Sequence, residues 1–230
     1  MERKIIVSDI TFTYTEKVDK KLVEILSTKV LDGFSKAREF FKEYVGNLEV
    51  NICTKQELNK IVVKYTNVYG DENSIPNWLT GFSVNHKVYV VILSEKDLEY
   101  MVKVVVHELV HLLSDRIEHK ERRPKLLQEG LAVYLSGQMS EKRFKAIVND
   151  YTNNKLHKLS EYINCNGLEF ANLNGYNYSY FAMEYFFNKY GKEKILCFLE
   201  QPEEFDLLVN TEETDFEEYL IGIINKDNYR

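Results

Sequence analysis

The stretch DLEYMVKVVVHELVHLLSDRI, residues 97–117, decides how the rest of the chain is read. It is apolar over most of its length and holds no Gly or Pro. Its valines lower intrinsic helix propensity, but burial overrides that weak preference, so the pattern predicts a helix over 96–117. Inside it lies HELVH, 107–111. On a helix, residues i and i+4 are neighbours about 5–6 Å apart at Cβ, so His107 and His111 present two imidazoles to one point. Two histidines and a glutamate in so apolar a segment are costly unless something pairs with them. Two such imidazoles are what Zn²⁺ takes as its first two ligands. Glu108 sits about 100° further round the axis, where it would flank the ion without ligating it and could move a proton.

A zinc site needs a third protein ligand and an open fourth position. The next helical segment, KLLQEGLAVYLSG at 125–137, offers Glu129 among Leu126, Leu127, Leu131, Val133, Tyr134 and Leu135. Gly130 beside it lacks a side chain where this helix and the histidine helix are expected to approach closely. His107, His111 and Glu129 are therefore the expected metal ligands, with Zn²⁺ as the expected cofactor.

Working outward, MERKIIVSDITFTY reads as a β-strand, with Ile10, Phe12 and Tyr14 alternating against threonines. A helical pattern follows from about Asp19 to Tyr44. LEVNIC, 48–53, is a strand, and Thr54 opens a T-K-Q-E capping box that starts a helix near Lys55. YGDENSIPN, 69–77, is a loop. GFSV and KVYVVIL, 81–84 and 87–93, read as strands joined by a turn at Asn85 and His86. Later helices are expected near 124–137, 141–151, 176–190, 192–200 and 214–225, with Gly191 ending the 176–190 helix. Strands early and helices late make an α+β protein.

Composition narrows the classes of function. The 230 residues suffice for one domain with a real core, or for two small lobes. A net charge of −6 argues against nonspecific nucleic-acid binding. No apolar run is long enough to span a membrane, and the start lacks the features of a signal peptide. Three widely spaced cysteines, Cys53, Cys165 and Cys197, read as reduced and largely buried thiols, which points to the cytoplasm. Residues 200–218 hold nine acidic residues and no Lys or Arg, and HKERRPK, 119–125, is basic; both are expected to be solvated surface. His86, His119 and His157 are expected at the surface, while Asp115 is placed either to accept from an imidazole or to form a surface ion pair.

These motifs resemble the gluzincin class of zinc metallopeptidases. HELVH matches HExxH, and QEGLAVY is similar to the (N/Q)-E-G-x-A segment that carries the third ligand in the aminopeptidase-like branch; here Glu129 follows His111 by 18 positions. GYNYSYFAMEYFFNKYG, 175–191, resembles that branch's tyrosine helix, with Tyr176, Ser179 and Tyr185 on the fixed positions. The resemblance runs over about 78–191. It implies that Glu108 is general base and then general acid, and that Tyr176 donates a hydrogen bond to the oxyanion, with Tyr178 and Tyr180 as alternatives. Two departures stand out. GFSVNHK lacks the acid that holds a substrate's free amine in the aminopeptidase branch, and Val133 stands where thermolysin-like members carry an aspartate.

The expectation is thus a single zincin-like domain over 1–230. A sheet-containing lobe, 1–95, and a helical lobe, 96–230, would flank a cleft. The implied activity is zinc-dependent peptide-bond hydrolysis, endopeptidase-like or dedicated to processing one target, on a peptide or protein substrate. The alternative is a non-catalytic, peptide-binding module on the same fold. The substrate's backbone would pair with the 81–84 edge by β-addition.

Overall fold

The computed structural model describes residues 1–42, 44–66, 69–92, 94–117 and 124–226. Its opening segment forms two strands where the sequence suggested one. Strand β1, Glu2–Val7, and β2, Ile10–Thr15, pair antiparallel, and Ser8 between them takes a left-handed conformation with φ 57°. Ile10, Phe12 and Tyr14 are buried, as the alternation requires. Helices α1, Lys20–Gly33, and α2, Ser35–Phe40, lead to β3, Leu48–Ile52, which lies parallel to β2. The connection has the length that a parallel pair demands.

Helix α3, Lys55–Tyr65, starts where the capping box predicts. Thr54 Oγ1 accepts from the Glu57 N–H, and Glu57 Oε2 accepts from the Thr54 N–H. Strands β4, Gly81–Val84, and β5, Lys87–Val90, form a hairpin. Asn85 and His86 turn it with φ 51° and 60°, the left-handed pair that a two-residue type I′ turn needs. The sheet is mixed, in the order β1-β2-β3-β5-β4, with β3 and β5 parallel and β4 on an edge. Strand β5 stops at Val90, short of the 87–93 run, and position 93 lies outside the described residues.

The single helix expected over 19–44 is two. Helix α1 ends at Gly33, where a Cβ would stand 2.8 Å from Val102 Cγ1 on helix α4, Leu98–Ile117. The chain turns there and buries Phe34, Ala37, Phe40 and Phe41. Arg116 secures the far end of α4, donating to the carbonyls of Tyr44 (2.6 Å) and Asn47 (3.0 Å). All of these elements, α4 up to Arg116 included, belong to the first of two compact units, Met1–Arg116.

The second unit, Ile117–Arg230, is helical: α5, Lys125–Leu135; α6, Glu141–Thr152; α7, Gly167–Asn172; α8, Gly175–Glu200; α9, Pro202–Asn225. That makes nine α-helices among the described residues. Helix α8 is interrupted at Gly191, whose φ of 78° and ψ of 174° are non-helical, so the expected pair 176–190 and 192–200 survives as two helical stretches with a kink. Helix α9 begins a dozen residues before the expected 214. Pro202 opens it, and Phe205, Val209, Glu212, Phe216 and Leu220 form its buried stripe. The acidic run 200–218 is thus mostly the solvated face of a helix, with Glu212 as its buried exception.

The cysteines are free, but they are less buried than expected: Cys53 and Cys165 are half-buried and Cys197 is exposed. Among the described residues no helix is long and apolar enough to cross a membrane.

Candidate metal centre

Helix α4 carries His107, Glu108 and His111 in consecutive turns. His107 and Glu108 are buried and His111 is half-buried. The i,i+4 spacing brings the two imidazoles together, Nε2 to Nε2, at 3.1 Å, with ring planes at 82°. Glu129 on α5 is buried as well, and the ligand atoms of His107, His111 and Glu129 all lie within 4.8 Å of one another. Nitrogens at about 2.0–2.1 Å from a tetrahedral zinc stand about 3.3 Å apart. The imidazole spacing therefore suits such an ion, and so does the donor set of two imidazoles and one carboxylate.

Glu108 lies against the first residue of edge strand β4. A Cβ on Gly81, the first residue of edge strand β4, would stand 3.1 Å from Glu108 Oε1 and 2.5 Å from Val104 Cγ1. The missing side chain is thus what lets β4 pass directly over Glu108.

Glu129 is held in two ways. Lys125, one turn earlier on α5, is ion-paired to its Oε1 at 2.8 Å. Gly130, the next residue, lies against α8: a Cβ there would meet Met183 Cγ at 2.9 Å and the Ser179 carbonyl oxygen at 3.1 Å. The close approach that Gly130 permits is therefore to Ser179 and Met183 of α8, where the sequence suggested the histidine helix.

Helix α8 begins at a forced turn. Asn174 is left-handed (φ 57°), and a Cβ on Gly175 would stand 2.6 Å from the Phe170 carbonyl oxygen. Only glycine fits that start, and it sets Tyr176 in the first turn with its ring edge-on to Phe170 at 5.0 Å. Ser179, one turn on, is the fully buried residue at the Gly130 crossing.

The alternatives to Tyr176 differ in their surroundings. Tyr178 is fully buried, and its hydroxyl donates to Asp150 Oδ2 at 3.3 Å, an acceptor shared with Asn174 Nδ2 at 2.9 Å. Burial, and then the Asp150 charge, push the Tyr178 phenol well above its ordinary range. Tyr178 is committed to that internal pair. Tyr180 is half-buried with its ring beside Tyr134 and Phe181. Tyr185 donates to Glu212 Oε2 at 2.5 Å, and burial followed by that bond raises its phenol to about 12, so it anchors α9 to α8.

The remaining residues singled out from sequence are dispersed. His86 is exposed in the β-turn, His157 pairs with Glu161 at 3.1 Å, and Asp115 is half-buried near the end of α4. His119 lies outside the described residues. Sequence reasoning missed Lys125 and Asp150. Lys125 had a visible signal, its i,i+4 spacing to Glu129 on one helix face. Asp150 had none, since its partners come from 24 and 28 positions away.

An α+β chain with a five-stranded mixed sheet, and a largely buried group of two helical histidines and a glutamate that could hold a metal ion, define a zincin-like protein. The chain belongs to the Peptidase MA superfamily, whose family model matches residues 57–211 and so takes in most of α3, the β4–β5 hairpin and the helices that carry His107, His111 and Glu129. No curated protein matches it.

Proposed function

We propose that this chain is a zinc-dependent peptidase, endopeptidase-like or dedicated to processing one protein target, with residues 1–230 acting as one catalytic domain. His107, His111 and Glu129 would hold the ion. The observation that carries the reading is the convergence of those three donors, in a chain of the Peptidase MA superfamily. Bound there, zinc would supply a Lewis acid that polarises a peptide carbonyl and makes water more acidic.

The chain's own residues account for the rest. Glu108 flanks the ligands without belonging to the donor group, and it takes the proton of the attacking water and returns it to the leaving amine. Tyr176 donates a hydrogen bond to the oxygen that gains charge as the carbonyl carbon becomes tetrahedral. Its support is its place on the resemblance and its position one turn from the Ser179–Gly130 crossing, together with the engagement of Tyr178 by Asp150. Strand β4 is a sheet edge with half-exposed residues, and Gly81 on it borders Glu108. A peptide adding to that edge as a further strand would pass beside the general base. The missing acid in GFSVNHK leaves nothing on that strand to hold a free α-amine, which favours cleavage away from the amino terminus.

Metal analysis and cleavage-site profiling of the wild type and Glu108→Gln test the proposal. One zinc per chain in both, with peptide cleavage in the wild type alone, is the expected result. Zinc without cleavage of any peptide or protein, or an unchanged biological effect of Glu108→Gln, would instead favour a peptide-binding module. Absence of zinc from the wild type rejects the zinc peptidase.

A further inference from the structure

Lys125 opens α5, and it is badly placed for helix stability. Its ammonium stands in the first turn, where the helix dipole already presents positive charge. It precedes Glu129 at i,i+4, the weaker orientation for such a pair. No acidic residue in that turn offsets it. Yet its Nζ lies 2.8 Å from Glu129 Oε1, with the lysine side chain 28% exposed and the glutamate 8%. A long side chain drawn that far from water, against the field of its own helix, is not explained by what it does for the helix. It engages the carboxylate of Glu129.

That carboxylate is claimed by two cations: the ammonium of its own helix and, on the reading above, the metal. We infer that Lys125 is a positioning residue that tempers the metal site. Holding Oε1, it sets Glu129 to give the metal one oxygen rather than two. Drawing negative charge from that carboxylate and repelling a divalent ion, it weakens metal binding below what two imidazoles and a full carboxylate would provide. The inference rests on His107, His111 and Glu129 being the ligands. Partners of metal ligands that strengthen the donor raise affinity; Lys125 is a partner of the opposite sign, so its removal tightens binding.

The test uses the full chain as wild type, Lys125→Met, Lys125→Arg and Glu129→Gln. Zinc dissociation constants are measured by competition with a chromophoric chelator, and thermal midpoints with and without zinc. Lys125→Met is expected to bind zinc about 10-fold more tightly, the lower end of what such partners contribute. Lys125→Arg, which keeps the charge, is expected to match the wild type. An ion pair with only a structural role would lower both midpoints equally and leave the dissociation constant unchanged. That result, or weaker zinc binding by Lys125→Met, overturns the inference. Should Lys125→Met fail to fold, Lys125→Gln removes the charge while keeping polarity and carries the same expectation. Failure of the ligand assignment looks different: the wild type binds no zinc, or Glu129→Gln binds it as tightly as the wild type.

Discussion

Ser179 on α8 stands against the bare Cα of Gly130 on α5: a Cβ there would lie 3.1 Å from the Ser179 carbonyl oxygen and 3.3 Å from its Cβ. Glu129 precedes Gly130, so this crossing fixes the backbone that carries the proposed third ligand. Gly130→Ala sets two effects against each other. Alanine gains about 0.8–1 kcal/mol of helix propensity over glycine, while overpacking a tight contact costs about 1–3 kcal/mol. Met183 Cγ can swing aside, but the Ser179 carbonyl belongs to the backbone of α8. The variant is expected to lose about 1 kcal/mol of stability in denaturant unfolding and to bind zinc more weakly. A variant as stable as the wild type would show that the crossing tolerates a methyl group.

The two tyrosines of the N-terminal turns of α8 are expected to separate activity from stability. Tyr176→Phe should fold like the wild type and lose about 10²–10³-fold in kcat, the scale of one oxyanion donor. Tyr178→Phe should keep its catalytic residues but lose about 1–3 kcal/mol, because the buried Asp150 loses a donor. Steady-state kinetics and urea unfolding of both variants check this. The reverse pattern would move the oxyanion role to Tyr178.

What the sequence made legible was what is periodic or local. HELVH is one turn of a helix, so the meeting of His107 and His111 follows from 3.6 residues per turn. The Thr54 capping box and the Asn85–His86 turn are likewise set within four residues. Glu129 was legible through its apolar setting and its resemblance. The rest depended on neighbours distant in sequence. The break at Gly33 answers to Val102, and the role of Gly130 to Ser179. The start of α9 was hidden because nine acidic residues obscured a buried stripe that Phe205, Val209 and Phe216 mark at helical spacing.

Glu212, the acid of that stripe, is expected to make the fold sensitive to acid. Burial raises its pKa, but the ammonium of Lys189 and the hydroxyls of Tyr185 and Tyr190 outweigh burial and hold it below its ordinary 4.5. A carboxylate whose folded pKa is depressed stabilises the fold fully above its unfolded pKa, and that contribution disappears as pH falls through the folded value. The wild type should therefore lose stability below about pH 4.5 more steeply than Glu212→Gln, which should be less stable than the wild type at neutral pH. Thermal midpoints of the two proteins between pH 3 and 7 measure this, and parallel curves would count against the network.

Gly81 offers the sharpest separation of metal binding from chemistry. Its Cα borders Glu108, and a Cβ there would reach 2.5 Å from Val104 Cγ1 and 3.1 Å from both Cγ and Oε1 of Glu108. Gly81→Ala cannot be accommodated without moving one of these side chains or the edge strand. The three nearest atoms that the new Cβ would meet belong to Val104 and Glu108 and none to His107 or His111, so the donor group is expected to persist and zinc to bind as in the wild type. The displaced Glu108 would no longer meet the attacking water in line, and misplacement by about 1 Å is enough to cost about 10²-fold in rate. The expected outcome is a zinc-loaded protein with kcat reduced by about that factor. Because the same strand is the proposed docking edge, KM is informative too. A variant with unchanged kcat and raised KM would mean that Gly81 serves the peptide's backbone alone and that Glu108 does not depend on it.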